Sequence, residues 1–114
     1  MNQKLIIPNT EENKFERLKA ILLQHKGKEN AITVKNISAM MGFRRAETQP
    51  ECRRLIWETA KMFNLPVVAC SKGYFVAIRE DEIDGYVENI QHRIDGMIQT
   101  RDMAKNNFAI WKED

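Results

Sequence analysis

The chain has 114 residues, of which 43% are hydrophobic and 30% charged, a size and composition typical of one soluble globular domain. No apolar run approaches the roughly 20 residues of a membrane-spanning helix, and Leu5-Ile6-Ile7 is too short for a signal peptide, so no membrane association and a cytoplasmic location are expected. Two cysteines without a CxxC spacing and two histidines far from them in sequence predict no disulfide framework, no metal site and no cofactor.

The net charge of +2 is unevenly divided along the chain. Residues 1–78 carry 13 Lys and Arg against 7 Asp and Glu, a charge of +6, whereas residues 79–114 carry 5 against 9, a charge of −4. A basic region attracts a phosphate backbone through Coulomb forces and counterion release. The larger, basic part of the chain is therefore the candidate for binding a nucleic acid.

The first predicted element is an amphipathic helix from Glu11 to Lys26. Its apolar residues recur at helical spacing, at Phe15, Leu18, Leu22 and Leu23. This face is expected to close a core of three helices.

A short strand, a short helix and a turn are predicted next, after a loop at residues 27–30. The β-branched run Ile32-Thr33-Val34 favours a strand, and Lys35 to Met41 has the spacing of a helix. Gly42 is expected to end that helix with a positive φ, and Phe43 to pack back on the core.

The second helix of this region is predicted to begin with Thr48 as its N-cap and Pro50 near its first helical position. Glu51 stands three residues after Thr48 and completes a capping box. The helix is expected to end near Asn64, because Pro66 disfavours helix in the residue before it. Its predicted apolar face consists of Cys52, Ile56, Thr59 or Ala60, and Phe63.

A β-hairpin is predicted after this helix. Val67-Val68-Ala69 and Tyr74 to Ile78 are β-prone, and Cys70-Ser71-Lys72-Gly73 between them has the length and composition of a turn.

A long helix is predicted from residue 80 to about Phe108, because the acidic residues 80–82 favour a helix N-terminus. Its apolar residues alternate by four and three, and the pattern continues through one charge, Arg101, to Ala104. Such a stripe predicts a homodimer, although packing across the first helix of the same chain would also cover it. Residues 109–114 are expected to form a frayed tail. The predicted dimerisation residues are Ile83, Val87, Ile90, Ile94 and Met97.

These elements in order predict a mainly α fold with a small β-hairpin, in the α+β class. The entry strand, small helix, glycine turn, arginine-rich helix and hairpin fit a winged helix-turn-helix domain at residues 12–79, preceded by an N-terminal arm at 1–11 and followed by the helix 80–108. In that arrangement the second helix enters the major groove of DNA.

The beginning of this helix is rich in hydrogen-bond donors. Gln49 and Arg53 lie about one turn apart and are the candidates for base contacts, since glutamine can pair with adenine and arginine with guanine. The candidates for phosphate contact are Arg44, Arg45 and Arg54, and Thr48 suits either role. Lys72, at the tip of the hairpin, is expected to reach the DNA backbone or the minor groove.

Two competing interpretations accompany this prediction. The arginines could form a solvated face whose ion-pair partners are Glu47, Glu51 and Glu58. Trp57 could lie at an interface, but packing beside the hairpin is favoured.

The motifs that carry a resemblance are Ile32 to Gly42, Cys52-Arg53-Arg54-Leu55-Ile56 and Ser71 to Ala77, followed by an acidic helix start. With these motifs the chain resembles small winged helix-turn-helix proteins of bacteriophages and prophages over about residues 12–108. The resemblance implies DNA binding in phage regulation or replication. One departure is the lead from Phe43 to Pro50, which is longer and more polar than the usual tight turn.

The leading hypothesis is a sequence-specific, non-enzymatic protein that binds double-stranded DNA as a dimer and regulates transcription in a phage or mobile element. The alternative is a phage replication or assembly adaptor that binds a protein partner, with weak DNA contact. An enzyme is not expected, because the sequence has no glycine-rich phosphate loop, GxSxG or HExxH motif.

Overall fold

The computed structural model describes residues 11–43 and 49–113. Within these ranges the fold is mainly helical with one small antiparallel hairpin, which confirms the predicted α+β class. The elements in chain order are α1 (Glu11–Leu23), a 3-10 turn (Lys28–Asn30), α2 (Val34–Met41), α3 (Gln49–Phe63), β1 (Val67–Cys70), β2 (Gly73–Val76) and α4 (Glu80–Glu113). The chain divides into two compact units, Met1–Ile83 and Asp84–Asp114.

Helices α1, α2 and α3 pack around one apolar core in the first unit. Its fully buried side chains are Leu18, Leu22, Ile37, Cys52, Ile56 and Thr59. Most of the apolar faces predicted for α1 and α3 are therefore buried, since residues four apart on a helix lie on the same side, but Leu23 and Phe63 are only half-buried. Phe15 packs against the same core.

Helix α1 ends at Leu23, three residues before the predicted end. His25 and Gly27 instead bond to β2, since Val76 donates its N–H to the carbonyl of His25 and accepts the N–H of Gly27, both at 2.9 Å. Gly27 has a φ of 88°, which a helix cannot contain. Tertiary pairing therefore replaces the last helical turn that the sequence predicted.

The strand predicted at Ile32-Thr33-Val34 is wrong except at its first residue. Ile32 forms an isolated antiparallel bridge to Tyr74. Thr33 is the N-cap of α2, and its hydroxyl accepts the N–H of Asn36 at 3.1 Å, so Val34 already belongs to the helix.

Glycine ends α2 as predicted. Gly42 has a φ of 79°, and the N–H of Phe43 bonds to the carbonyl of Ser38 at 3.0 Å. Phe43 packs against the core.

Helix α3 begins at Gln49, so Pro50 is its second residue and lies near the first helical position, as predicted. The predicted N-cap, Thr48, lies outside the described residues. The end of α3 is as predicted, since Asn64 takes a left-handed conformation with a φ of 55° and Leu65 bonds back to Ala60.

The hairpin turn is tighter than predicted. Cys70 pairs with Gly73, which leaves only Ser71 and Lys72 in the turn. Strand β2 ends at Val76 rather than Ile78, because Ile78 donates its N–H to the carboxylate of Glu82.

Helix α4 continues to Glu113, so residues 109–113, which were expected to fray, are helical. Its first turn is acidic, as predicted. None of the described helices is both long and apolar enough to cross a membrane.

Candidate nucleic-acid interface

Helix α3 has one buried side and one exposed side. The buried side consists of Cys52, Leu55, Ile56 and Thr59. The hydroxyl of Thr59 would be a costly polar group in this position, but it donates to the carbonyl of Leu55 at 2.7 Å. The remaining side of α3 is free to present polar groups.

Gln49 and Arg53 lie on this exposed side, in the first part of α3. They are four residues apart, so their side chains lie one above the other on the helix. Among the described residues, no carboxylate lies within ion-pair distance of the Arg53 guanidinium. Its five N–H donors are therefore available to a ligand.

Arg54 differs from its neighbour because it is held between two glutamates. Its guanidinium lies 3.1 Å from Glu58 and 3.8 Å from Glu51, and all three side chains are well exposed. Of the two arginines of this cluster that the structure describes, Arg54 therefore shows the ion pairing that the competing interpretation expected. Exposed pairs of this kind contribute less than about 1 kcal/mol, so a phosphate could displace them.

Trp57 connects α3 to the hairpin. Its ring meets that of Tyr74 edge-on, with the centroids 5.6 Å apart and the planes at 68°. The side chain nevertheless keeps 38% of its surface exposed. The packing interpretation is confirmed, and the exposed part of the side chain remains available for contact.

Lys61 was not among the predicted site residues, although it lies in line with them. It is exposed and follows Arg53 and Trp57 at steps of four residues. A step of four on a helix keeps side chains on one face, so these three residues form a stripe about 12 Å long. The spacing alone was the signal that could have identified it.

Lys72, another predicted site residue, is exposed in the hairpin turn, two residues before Tyr74. The contact of Tyr74 with Trp57 connects strand β2, which follows this turn, to α3. Arg44, Arg45 and Thr48 lie outside the described residues. We call the side chains of Gln49, Arg53, Arg54, Trp57, Lys61 and Lys72 the α3–hairpin surface.

Beneath this surface, the thiol of Cys52 is buried. Burial raises its pKa, and the hydroxyl of Ser38 and the charge of Arg53 oppose this more weakly. In the described ranges there is no group of three or more His, Cys, Asp or Glu residues that could hold a metal ion. What the surface offers to a ligand is guanidinium, ammonium, amide and indole N–H groups.

No protein-family model, curated protein or solved structure is significantly similar to this chain. The function proposed for it therefore rests on its own residues and their geometry.

Proposed function

We propose that residues 12–79 form a winged helix-turn-helix that binds double-stranded DNA, with α3 in the major groove and the hairpin as the wing. The observation that carries this proposal is the exposed stripe of Arg53, Trp57 and Lys61, whose two cations have no carboxylate partner among the described residues. An unpaired cation on a rigid helix can approach a phosphate or a base without first breaking an ion pair.

The dimensions of α3 support this role. It has 15 residues and is therefore about 22 Å long. A helix with side chains is about 10–12 Å across, which matches the width of the major groove, about 12 Å. Gln49 and Arg53 lie at its N-terminal end, where a recognition helix contacts base edges.

The position of the hairpin also supports a role in DNA binding. Its two-residue turn carries Lys72, and its strand β2 contacts Trp57 through Tyr74. A cation at the tip of a short hairpin beside the recognition helix, α3, is suited to contact with the DNA backbone. Regulation of transcription in a phage or mobile element is the process that the sequence resemblance implies, and we propose it on that basis alone.

Arg54 supplies an observation in favour of the second candidate, a replication or assembly adaptor. Glu51 and Glu58 neutralise its charge and would lie near phosphates if α3 entered the groove. A protein partner would tolerate that mixed charge. DNA binding that depends on Arg53 would favour the winged helix-turn-helix, and the absence of DNA binding would favour the adaptor.

The test compares two adjacent arginines in the full-length protein. Binding to a random-sequence duplex is measured by fluorescence anisotropy at about 50 mM and about 200 mM salt, for the wild type, Arg53→Ala and Arg54→Ala. We expect salt-dependent binding, weakened about tenfold or more by Arg53→Ala and less by Arg54→Ala, whose guanidinium is already paired. Arg93→Ala on α4 is the control outside the α3–hairpin surface and should bind as the wild type does.

Two results would overturn the DNA proposal. One is the absence of binding by the folded wild type at low salt, which would favour the adaptor. The other is equal binding by the wild type and Arg53→Ala, which would remove α3 from the interface.

A further inference from the structure

Helix α4 carries an apolar stripe, most of whose large side chains are exposed in the described structure. Val87, Ile94 and Met97 are between 41% and 67% exposed, and Phe108 and Trp111 are 58% and 72% exposed. The complete stripe, spaced alternately by four and three residues, is Ile83, Val87, Ile90, Ile94, Met97, Arg101, Ala104, Phe108 and Trp111. Alternation by four and three is the pattern of a helix that packs along a second helix.

We infer that α4 pairs with α4 of a second copy of this chain in an antiparallel orientation. This inference concerns α4 and does not depend on DNA binding. The orientation goes beyond the dimer that the sequence predicts, and it follows from the positions of the charges.

The first charge is Arg101, which occupies a position within the stripe. In a parallel, in-register pair, each residue of the stripe faces its own copy, so two guanidinium groups would meet in the centre of the contact. Like charges at such a position repel and are costly to desolvate. In an antiparallel pair Arg101 faces a different residue, and its guanidinium can keep its ion pair with Asp102 at 2.9 Å.

An antiparallel register exists that places every stripe residue from Val87 to Trp111 against an apolar or aliphatic neighbour, whereas Ile83 has no opposing stripe residue. It sets Val87 against Trp111 of the second copy, and Met97 against the aliphatic stem of Arg101. The smallest residue, Ala104, then meets the branched side chain of Ile94. The complete set of opposing residues is Val87 with Trp111, Ile90 with Phe108, Ile94 with Ala104, and Met97 with Arg101, each occurring twice by symmetry.

The charges beside the stripe support the same register. One side of the contact is flanked by the residues that directly follow Ile83, Ile90, Met97, Ala104 and Trp111 in the chain. These are Asp84, Gln91, Ile98, Lys105 and Lys112. In this antiparallel register Asp84 lies beside Lys112 of the second copy, and Gln91 beside Lys105. A parallel pair brings no opposite charges together at its flanking positions.

The electrostatics of the helix ends act in the same direction. The acidic first turn and the C-terminal lysines lie at opposite ends of α4, and an antiparallel pair places each end beside its complement. In this register the two Asp84 residues lie about 42 Å apart along the paired helices, at 1.5 Å per residue. The two copies of the first unit are then attached at opposite ends of the pair.

The test uses reciprocal charge reversal in the full-length protein without DNA. Mass in solution is measured by sedimentation equilibrium from low micromolar to sub-millimolar concentration for the wild type, Asp84→Lys and Lys112→Glu, with circular dichroism to verify folding. We expect a wild-type dimer, and about tenfold weaker dimerisation of each variant, because two flanking pairs per dimer change from attraction to repulsion.

Mixing the two variants is the decisive measurement. In the antiparallel register the two substituted side chains, one from each copy, lie beside each other with opposite charges. The unchanged Asp84 and Lys112 form the other flanking pair, so the mixture should recover wild-type dimerisation. Glu88→Lys, on the outer face of α4, is the matched control and should dimerise as the wild type does. A monomeric wild type would overturn the pairing, and a dimer unaffected by either reversal, or not recovered by mixing, would overturn the antiparallel orientation.

Discussion

The carboxylate of Glu82 accepts the backbone N–H of Lys28, 54 residues earlier in the chain, at 2.9 Å. The same carboxylate accepts the N–H groups of Ile78 at 2.9 Å and Arg79 at 3.2 Å, and it lies 3.3 Å from the guanidinium of Arg79. Its side chain is only 2% exposed. One side chain thus fixes the 3-10 turn, the end of the hairpin segment and the start of α4.

Glu82 should make the stability of the protein depend on pH. The hydrogen bond from Ile78, followed by that from Lys28, lowers the pKa of Glu82 below its usual value. A lowered pKa in the folded state adds stability above the pKa of the unfolded chain, about 4.3, and that stability is lost as the pH falls through the folded-state pKa. We expect Glu82→Gln to lower the urea midpoint at neutral pH and to flatten its decline in acid.

The control for this prediction is Glu80→Gln, which changes an exposed carboxylate two residues earlier. Its urea midpoints should follow those of the wild type. Equal acid sensitivity of the wild type and Glu82→Gln would show that other carboxylates determine the pH dependence.

Two glycine substitutions should have opposite effects. Gly73 has a φ of 124°, and a Cβ there would overlap the carbonyl oxygen of Ile32, so Gly73→Ala should destabilise the fold by about 2 kcal/mol or more. Gly96 lies within α4, where a Cβ meets nothing within 4 Å, so Gly96→Ala should stabilise that helix by up to about 1 kcal/mol. Thermal unfolding followed by circular dichroism measures both, and a neutral Gly73→Ala would contradict the close approach of β2 to Ile32.

The two thiols should differ in reactivity. Cys52 is fully buried with a raised pKa, whereas Cys70 is half-buried at the end of β1. Titration of the folded protein with a chromogenic disulfide reagent should modify Cys70 first and Cys52 only after denaturant is added. With Cys70→Ser, the native protein should give almost no signal, and rapid modification of that variant would place Cys52 nearer to solvent than we describe.

Truncation of the α3 core should be far more costly than truncation of its surface. Ile56 is fully buried, and Ile56→Ala should cost about 2–5 kcal/mol through lost burial and the cavity left behind. Met62 lies six residues later on the same helix and is 54% exposed, so Met62→Ala should change the free energy of unfolding by less than about 0.5 kcal/mol. Similar costs for the two variants would mean that the buried face of α3 is assigned incorrectly.

Features that depend on neighbours in sequence were predictable. The buried faces of α1 and α3 follow from helical periodicity, and the turn at Gly42 follows from the conformational freedom of glycine. The exposure of Gln49 and Arg53 follows from the same periodicity. The ion pairs of Arg54 with Glu51 and Glu58 follow from their spacings of three and four residues.

Features that depend on distant backbone groups were not predictable. The early end of α1 results from pairing with Val76, and the loss of the strand after Ile32 results from the cap at Thr33. Glu82 occupies the third position of α4, which suggests a capping role, but its contact with Lys28 requires the folded chain. Lys61 could have been assigned to the site from its spacing to Arg53 and Trp57.

Strand β2 is hydrogen-bonded on both of its edges. One edge pairs with β1, and on the other Tyr74 exchanges both of its backbone bonds with Ile32 at 2.8 Å. Unpaired strand edges are the template for aggregation by strand addition. In the described residues the free edge of the sheet therefore belongs to β1 alone, which is four residues long. A sheet with so little open edge offers little template for the addition of a further strand.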